Sequence, residues 1–110
     1  MPSTHTFSRQ TIEAARILGL EITRARRESR LTANELAERA GITRTTLHNV
    51  EHGKPTVALG IYFELAALVG LDLFGTDRRG LQDLVSRSRD RLALLPERVR
   101  EPSKPVRDDF

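Results

Sequence analysis

The chain has 110 residues, which is enough for one compact domain and too few for two of ordinary size. Hydrophobic residues make up 38% and aromatic residues 5%, so a core must consist mainly of aliphatic side chains, as in a helical bundle. The absence of cysteine excludes disulfides and thiolate metal sites. The formal charge of +3 is compatible with nucleic acid as a partner, but by itself it is only a weak indication of nucleic-acid binding.

The N-terminal part is predicted to be a flexible arm followed by a long helix. Residues 1–10 are polar without helical periodicity, and they lack the charged-then-apolar pattern of a secretory signal. From residue 11 to about residue 30, apolar side chains recur three or four residues apart, which is typical of one helix face. These side chains are Ile12, Ala15, Leu18, Ile22 and Ala25.

Arginines crowd the second half of this helix, at Arg24, Arg26, Arg27 and Arg30. Cations stabilise the C-terminal end of a helix through its dipole, which is a purely structural explanation of the cluster. Contact with DNA phosphates explains it equally well, and Arg27 is the candidate that we select for that role.

Two short helices follow, each with clear start and stop signals. Thr32 and Glu35 form a capping box that opens the first, and Gly41 ends it because glycine tolerates the left-handed conformation. Thr43 caps the second helix, which Gly53 closes.

Residues 57–74 form a broad apolar segment, which predicts a mostly buried helix. Gly70 is expected to end this helix, with Leu71, Leu73 and Phe74 packing back against the bundle.

Residues 78–95 are amphipathic and predict a further helix, whose apolar set is Leu81, Leu84, Val85, Leu92 and Leu95. After Pro96 the chain alternates charges and has almost no apolar content, so it should be disordered alone. The predicted organisation is a flexible arm (1–10), a helix-turn-helix domain (11–75), an additional helix for packing or dimerisation (76–95) and a disordered tail (96–110).

The two short helices have the features of a helix-turn-helix. Their steep crossing requires a small side chain, which Ala37 supplies, and a tight turn, which Gly41 allows. Leu47 and Val50 on the second helix then face inward, and the outer face of that helix can enter a major groove. The prediction is an all-α protein that binds duplex DNA.

The packing and turn positions of this segment match a known family. They are Leu31-Thr32, Glu35-Leu36-Ala37, Ala40-Gly41-Ile42, Leu47, Val50-Glu51 and Gly53. From about residue 18 to residue 71 the chain resembles the XRE family, the DNA-binding domains similar to lambda repressor and Cro. The resemblance implies a five-helix lambda-repressor-like domain that binds palindromic half-sites as a homodimer.

One position departs from the family pattern. Ala33 stands where the family often has a glutamine that contacts a phosphate or supports base readout. An interaction module that has lost DNA binding therefore stays among the alternatives.

The resemblance assigns roles to the second short helix. The candidates for base-edge contacts are Arg44, Thr45 and His48. The candidates for phosphate contacts are Thr43, Thr46, Asn49 and Lys54, together with Arg27. All of them are also explained as solvated polar residues on a surface helix. Glu51 is assigned to structure, paired with an arginine.

A narrower resemblance rests on segments around this domain. They are Val57-Ala58-Leu59-Gly60, residues 68–74, residues 91–96 and the closing Asp108-Asp109-Phe110. In these the chain is similar to HipB-like antitoxins encoded beside HipA-like kinases. The resemblance implies a DNA-binding dimer that represses its own operon and holds the kinase inactive, with Phe110 and the two acids docking on it. A frayed terminus is the alternative explanation of the tail.

Enzymatic function finds almost no support in the sequence. His48 and His52 are four residues apart, but the glutamate between them, Glu51, does not directly follow the first histidine as in the H-E-x-x-H metalloprotease arrangement, and no third ligand is visible. We therefore expect no catalysis, no cofactor, no metal and no membrane partner, in a bacterial cytoplasmic protein associated with the nucleoid. Two functions compete, namely a repressor that is also a kinase-neutralising antitoxin, and a stand-alone XRE-type regulator.

Overall fold

The computed structural model describes residues 6–101, and all regular elements in this part of the chain are α-helices. In chain order they are α1 (Arg9–Glu28), α2 (Ala33–Ala40), α3 (Arg44–Glu51), α4 (Leu59–Leu68) and α5 (Arg78–Ala93). The described residues divide into two compact units, one up to Gly75 with the first four helices and one from Thr76 with α5. The predicted all-α fold with five helices is confirmed for the described residues.

Helix α1 begins at Arg9, two residues before the predicted start. Ser8 is its N-cap, because its hydroxyl oxygen accepts a hydrogen bond of 3.2 Å from the backbone N–H of Thr11. The prediction of a flexible arm up to residue 10 is therefore wrong for Arg9 and Gln10. Capping by a polar residue starts the helix here, and apolar periodicity does not reveal it.

Helix α2 begins and ends at the predicted signals. The backbone N–H of Glu35 donates to the Thr32 hydroxyl at 3.1 Å, and the Glu35 carboxylate accepts from the backbone N–H of Thr32 at 2.8 Å. This second hydrogen bond favours the charged carboxylate and so lowers the pKa of Glu35. Gly41 ends α2 in the left-handed conformation, with φ of 69°.

Helix α4 ends before Gly70 as predicted, with Gly70 at φ of 75°, but it departs from prediction at its start. It begins at Leu59 and not at residue 57, and Leu59 itself is 65% exposed. Leu71 and Leu73 pack against the core as predicted, whereas Phe74 is 72% exposed. Phe74 and Gly75 both have positive φ, and in this turn the Phe74 ring lies edge-on to Phe63 rather than in the core.

The core lies among α1, α2, α3 and α4. Its most completely buried side chains are aliphatic, as the composition predicts, and they are Ile22, Leu36, Leu47, Val50 and Leu65. Tyr62 is the aromatic residue that joins this cluster. Ile12, which was predicted on the same apolar face of α1 as Ile22, is 38% exposed because the early turns of α1 extend past the core.

The backbone of α1 packs directly against the backbone at the end of α3. A methyl group on Gly19 would collide with the carbonyl oxygen of Val50 and lie 2.9 Å from the backbone nitrogen of Gly53. A methyl group on Gly53 would lie 2.5 Å from the Cα of Arg16, and Gly53 also has φ of 72°. The two glycines thus allow an approach that no other residue type would permit.

We expect Gly19→Ala to destabilise the protein by about 2 kcal/mol, because the added methyl group meets backbone atoms that have little room to move. Gly60→Ala is the matched control, since Gly60 lies in α4 and a methyl group there meets nothing within 4 Å. That control should stabilise the protein by less than the roughly 0.5–1 kcal/mol of a helix interior, because Gly60 lies in the first turn of α4. Urea unfolding followed by circular dichroism measures both. Equal stability changes in the two variants would contradict the close approach.

Candidate nucleic-acid interface

Helices α2 and α3 form the helix-turn-helix. Ala37 is buried at their crossing, and on α3 the side chains of Leu47 and Val50 are 1% and 0% exposed. Residues on the opposite side of α3 are exposed, and they include all three predicted base-contacting residues, Arg44, Thr45 and His48. The structure therefore brings these three together on one surface of α3, at helical spacings that share a face.

Arg44 is held by a residue that the sequence analysis did not select. Its guanidinium Nη1 donates a hydrogen bond of 2.7 Å to the amide oxygen Oδ1 of Asn34 near the start of α2. A guanidinium has five N–H donors, so four remain for a ligand. Asn34 directly follows Ala33, the position that departs from the family pattern, and this adjacency was the signal available in the sequence.

Two of the predicted phosphate-contacting residues share one hydrogen-bonded cap. The Thr43 hydroxyl accepts from the backbone N–H of Thr46 at 3.1 Å and donates to the Thr46 hydroxyl at 3.0 Å. A hydroxyl has a single proton to donate. Thr43 therefore uses its proton within the cap, and the Thr46 hydroxyl still has a proton of its own to donate.

The segment after α3 is fixed through its backbone. The N–H of Lys54 donates to the carbonyl of Asn49 at 2.9 Å, and the Tyr62 hydroxyl donates to the carbonyl of Lys54 at 2.7 Å. Burial of Tyr62 raises the pKa of its phenol, so the hydroxyl keeps its proton for this bond at neutral pH. The side chain of Lys54 is exposed, so its ammonium group is accessible while its backbone is held by these two hydrogen bonds.

Basic residues of α1 lie beside the end of α3. Arg16, His48, Asn49, His52 and Lys54 line one surface depression. A second depression joins Arg16 and His52 to Arg27, which the sequence analysis had proposed as a phosphate contact. Within residues 6–101, no carboxylate forms an ion pair with Arg16, Arg27 or Lys54.

Arg16 and His52 were missed by sequence reasoning. Arg16 lies eleven residues before Arg27, which is about three helical turns, so both occupy one face of α1. That spacing was the available signal. The ring of His52 stacks at 4.0 Å between centroids on that of His48, and its Nδ1 lies 2.8 Å from the His48 carbonyl oxygen. The described part of the chain holds no group of three or more residues suited to a metal ion.

A largely buried ion pair anchors the C-terminal end of α3. The Arg26 guanidinium donates to both carboxylate oxygens of Glu51, at 2.6 and 3.1 Å, and also to the carbonyl of Leu31 at 2.9 Å. Both charged side chains are 11% exposed. The prediction that Glu51 pairs with an arginine is confirmed.

The arginines in the second half of α1 therefore fall into two groups, those with an acidic partner and Arg27. Arg24 pairs on the helix surface with Glu21 and Glu28, and Arg26 pairs with Glu51, so these two have structural partners. Arg27 is exposed, and among residues 6–101 it has no acidic partner.

Fold and surface together define a helix-turn-helix DNA-binding domain. A family model described as a helix-turn-helix domain matches residues 17–84, which is more than half of the chain, and the chain belongs to this family. Domains of this family bind DNA and are typically not enzymes. No curated protein and no solved structure matches the chain. Across the described residues, no helix is both long enough and apolar enough to cross a membrane.

We expect Glu51→Ala to lower the free energy of unfolding by about 3 kcal/mol, because it leaves the Arg26 guanidinium largely buried without its carboxylate. Glu28→Ala is the matched control, since it removes a carboxylate from the exposed pair with Arg24 and should cost less than about 0.5 kcal/mol. Chemical denaturation of both variants supplies the comparison. A loss for Glu51→Ala no greater than that for Glu28→Ala would show that the ion pair does not anchor α3.

Proposed function

We propose that this protein is a transcriptional repressor that binds a palindromic operator as a homodimer, with α3 of each copy in a major groove. The observation that carries the proposal is the exposed face of α3, where Arg44, Thr45 and His48 stand together and Asn34 orients the arginine. Repression then follows from occupancy of the operator, and the protein acts by binding rather than by catalysis.

Base readout is assigned to the exposed face of α3. A guanidinium can donate two parallel hydrogen bonds to O6 and N7 of guanine, which makes Arg44 the main specificity residue. The hydrogen bond to Asn34 reduces the number of conformations that Arg44 samples before it meets DNA. Thr45 offers a methyl group to a thymine methyl, and His48 offers a ring nitrogen to a base edge.

Phosphate contacts are assigned to residues around this face. They are Thr43, Thr46, Asn49, Lys54 and Arg27 as predicted from sequence, with Arg16 added because it lines the same depression as Asn49 and Lys54. Such contacts fix the register of the protein on the duplex without reading its sequence. They also release counterions, which makes affinity depend on salt.

An antitoxin role is the finer part of the proposal, and it rests on the resemblance to HipB-like proteins. The partner is then a HipA-like kinase, docked by Asp108, Asp109 and Phe110, which lie outside the described residues. A stand-alone XRE-type regulator is the other candidate.

Co-expression with a kinase encoded on the same transcript distinguishes the two candidate functions, using the full chain beside a version truncated after Pro96. Inhibition of the kinase by the full chain alone supports the antitoxin role, and no inhibition by either version favours the stand-alone regulator.

We expect Arg44→Ala to weaken binding to the best operator by about 1–3 kcal/mol and to relax specificity at one base position. Asn34→Ala should have a smaller effect in the same direction, because it frees the guanidinium without removing it. Selection from random duplexes identifies the operator, and fluorescence anisotropy gives the affinities. Arg24→Ala is the control of equal charge change, since Arg24 is engaged with Glu21 and Glu28. Unchanged specificity in Arg44→Ala would show that this residue does not read a base.

Affinity for the operator should fall steeply as salt rises from about 50 to about 200 mM, because phosphate contacts release counterions. Lys54→Ala should weaken binding to all sequences alike and reduce the slope of log affinity against log salt by about one. The same anisotropy titrations, repeated at four salt concentrations, measure both slopes. An affinity that does not change with salt would contradict DNA binding and favour an interaction module.

A further inference from the structure

The ring of His52, at the C-terminal end of α3, has one nitrogen engaged and the other accessible. Its Nδ1 lies 2.8 Å from the carbonyl oxygen of His48. A carbonyl oxygen accepts hydrogen bonds and cannot donate them, so Nδ1 carries a proton and is the donor. In the described part of the chain nothing hydrogen-bonds to the other nitrogen, Nε2, and the side chain is exposed.

This hydrogen bond determines what Nε2 can do. In the neutral ring the single proton is on Nδ1, so Nε2 has a lone pair and can only accept. In the charged ring both nitrogens carry protons, and Nε2 becomes a donor. The oxygens of a DNA phosphate only accept. His52 can therefore donate to a phosphate through Nε2 only as a cation, which requires a proton from the solvent.

The surroundings of His52 suit a phosphate. The residue lines both surface depressions of the candidate interface, with Arg16 in each, Lys54 in the first and Arg27 in the second. Among the described residues that line these depressions, the one carboxylate is that of Glu51, and it is engaged in the ion pair that anchors α3. An anion held by the three basic residues would therefore lie beside the accessible nitrogen of His52.

The stacked histidines limit how much charge this place can take up. Arginine and lysine keep their charge between about pH 5 and pH 8, whereas histidine changes its charge in this range. The rings of His48 and His52 have 4.0 Å between their centroids, and two positive rings at this distance repel each other. The pair therefore takes up one proton. That proton is best used on His52, and His48 stays neutral for contact with a base.

We propose that DNA binding takes up one proton per copy on the ring of His52, whose Nε2 then donates to a phosphate. This inference rests on the proposed function, because it adds a contact to the same DNA-binding surface. The phosphate stabilises the charged ring only in the complex. The contribution of His52 to affinity is therefore present at low pH and is lost as pH rises through the range in which histidine titrates.

Two measurements on the unaltered protein test the proton uptake. Fluorescence anisotropy at constant ionic strength should give an operator affinity about tenfold higher per copy at about pH 6 than at about pH 8. Calorimetric titrations in buffers of different ionisation enthalpy count the protons directly, and we expect one per copy. A duplex without the operator should give the same count, because phosphate contacts carry no sequence information.

Three substitutions locate the proton. His52→Asn sets an amide near the position of Nδ1 and leaves nothing at that of Nε2, so proton uptake should be lost while affinity at high pH is kept. Lys54→Ala is the matched control, since it removes a neighbouring cation that does not titrate in this range. It should lower affinity by the same factor at both pH values and keep the uptake. His48→Asn should also keep the uptake, because His52 retains its carbonyl partner.

Each outcome decides between this inference and another explanation. Operator binding without proton uptake overturns the inference and leaves the repressor standing. Uptake that occurs only with the operator duplex, or that is lost in His48→Asn, overturns the assignment to His52. An equal loss of affinity at both pH values in His52→Asn shows a purely structural role for this ring. No affinity for any selected duplex at either pH overturns the proposed function, and this inference with it.

Discussion

Helix α3 has eight residues, which is too short for a helix to be stable alone, so its position depends on what holds its C-terminal end. Arg26 of α1 binds both oxygens of Glu51 there, and the same guanidinium holds the carbonyl of Leu31 ahead of α2. One side chain thus connects α1, the loop before α2 and the end of α3. The glycine contact between Gly19 and Gly53 brings the backbones close enough for that connection.

Local chemistry made much of the fold predictable. The capping box of Thr32, the left-handed Gly41 and the Thr43 cap each depend on residues three or four positions away, so the boundaries of α2 and α3 follow from the sequence. The buried positions of α3 follow equally well from helical spacing. The start of α1 was missed although Ser8 caps it over the same short range, because no apolar period in residues 1–10 indicates a helix there. The exposure of Phe74 depends on the turn after α4, and it does not follow from helical spacing.

In the candidate site, too, local features could be predicted from the sequence and long-range contacts could not. The exposed face of α3 follows from periodicity, whereas the partners of its residues come from distant parts of the chain. Arg44 meets Asn34 ten residues away, and Glu51 meets Arg26 twenty-five residues away. Sequence reasoning anticipated an arginine for Glu51 but could not choose among the four in the cluster, because that choice depends on how α1 is rotated against α3.

The inward and outward faces of α3 separate two tasks that evolution can alter independently. Leu47, Val50 and Glu51 secure the helix, while Arg44 and Thr45 are exposed and outside the buried core. Replacement at the outward positions therefore costs little folding free energy, as is usual for surface sites. A lineage of duplicated copies could diverge in operator preference through a few such replacements, and a designer could retarget the scaffold in the same way.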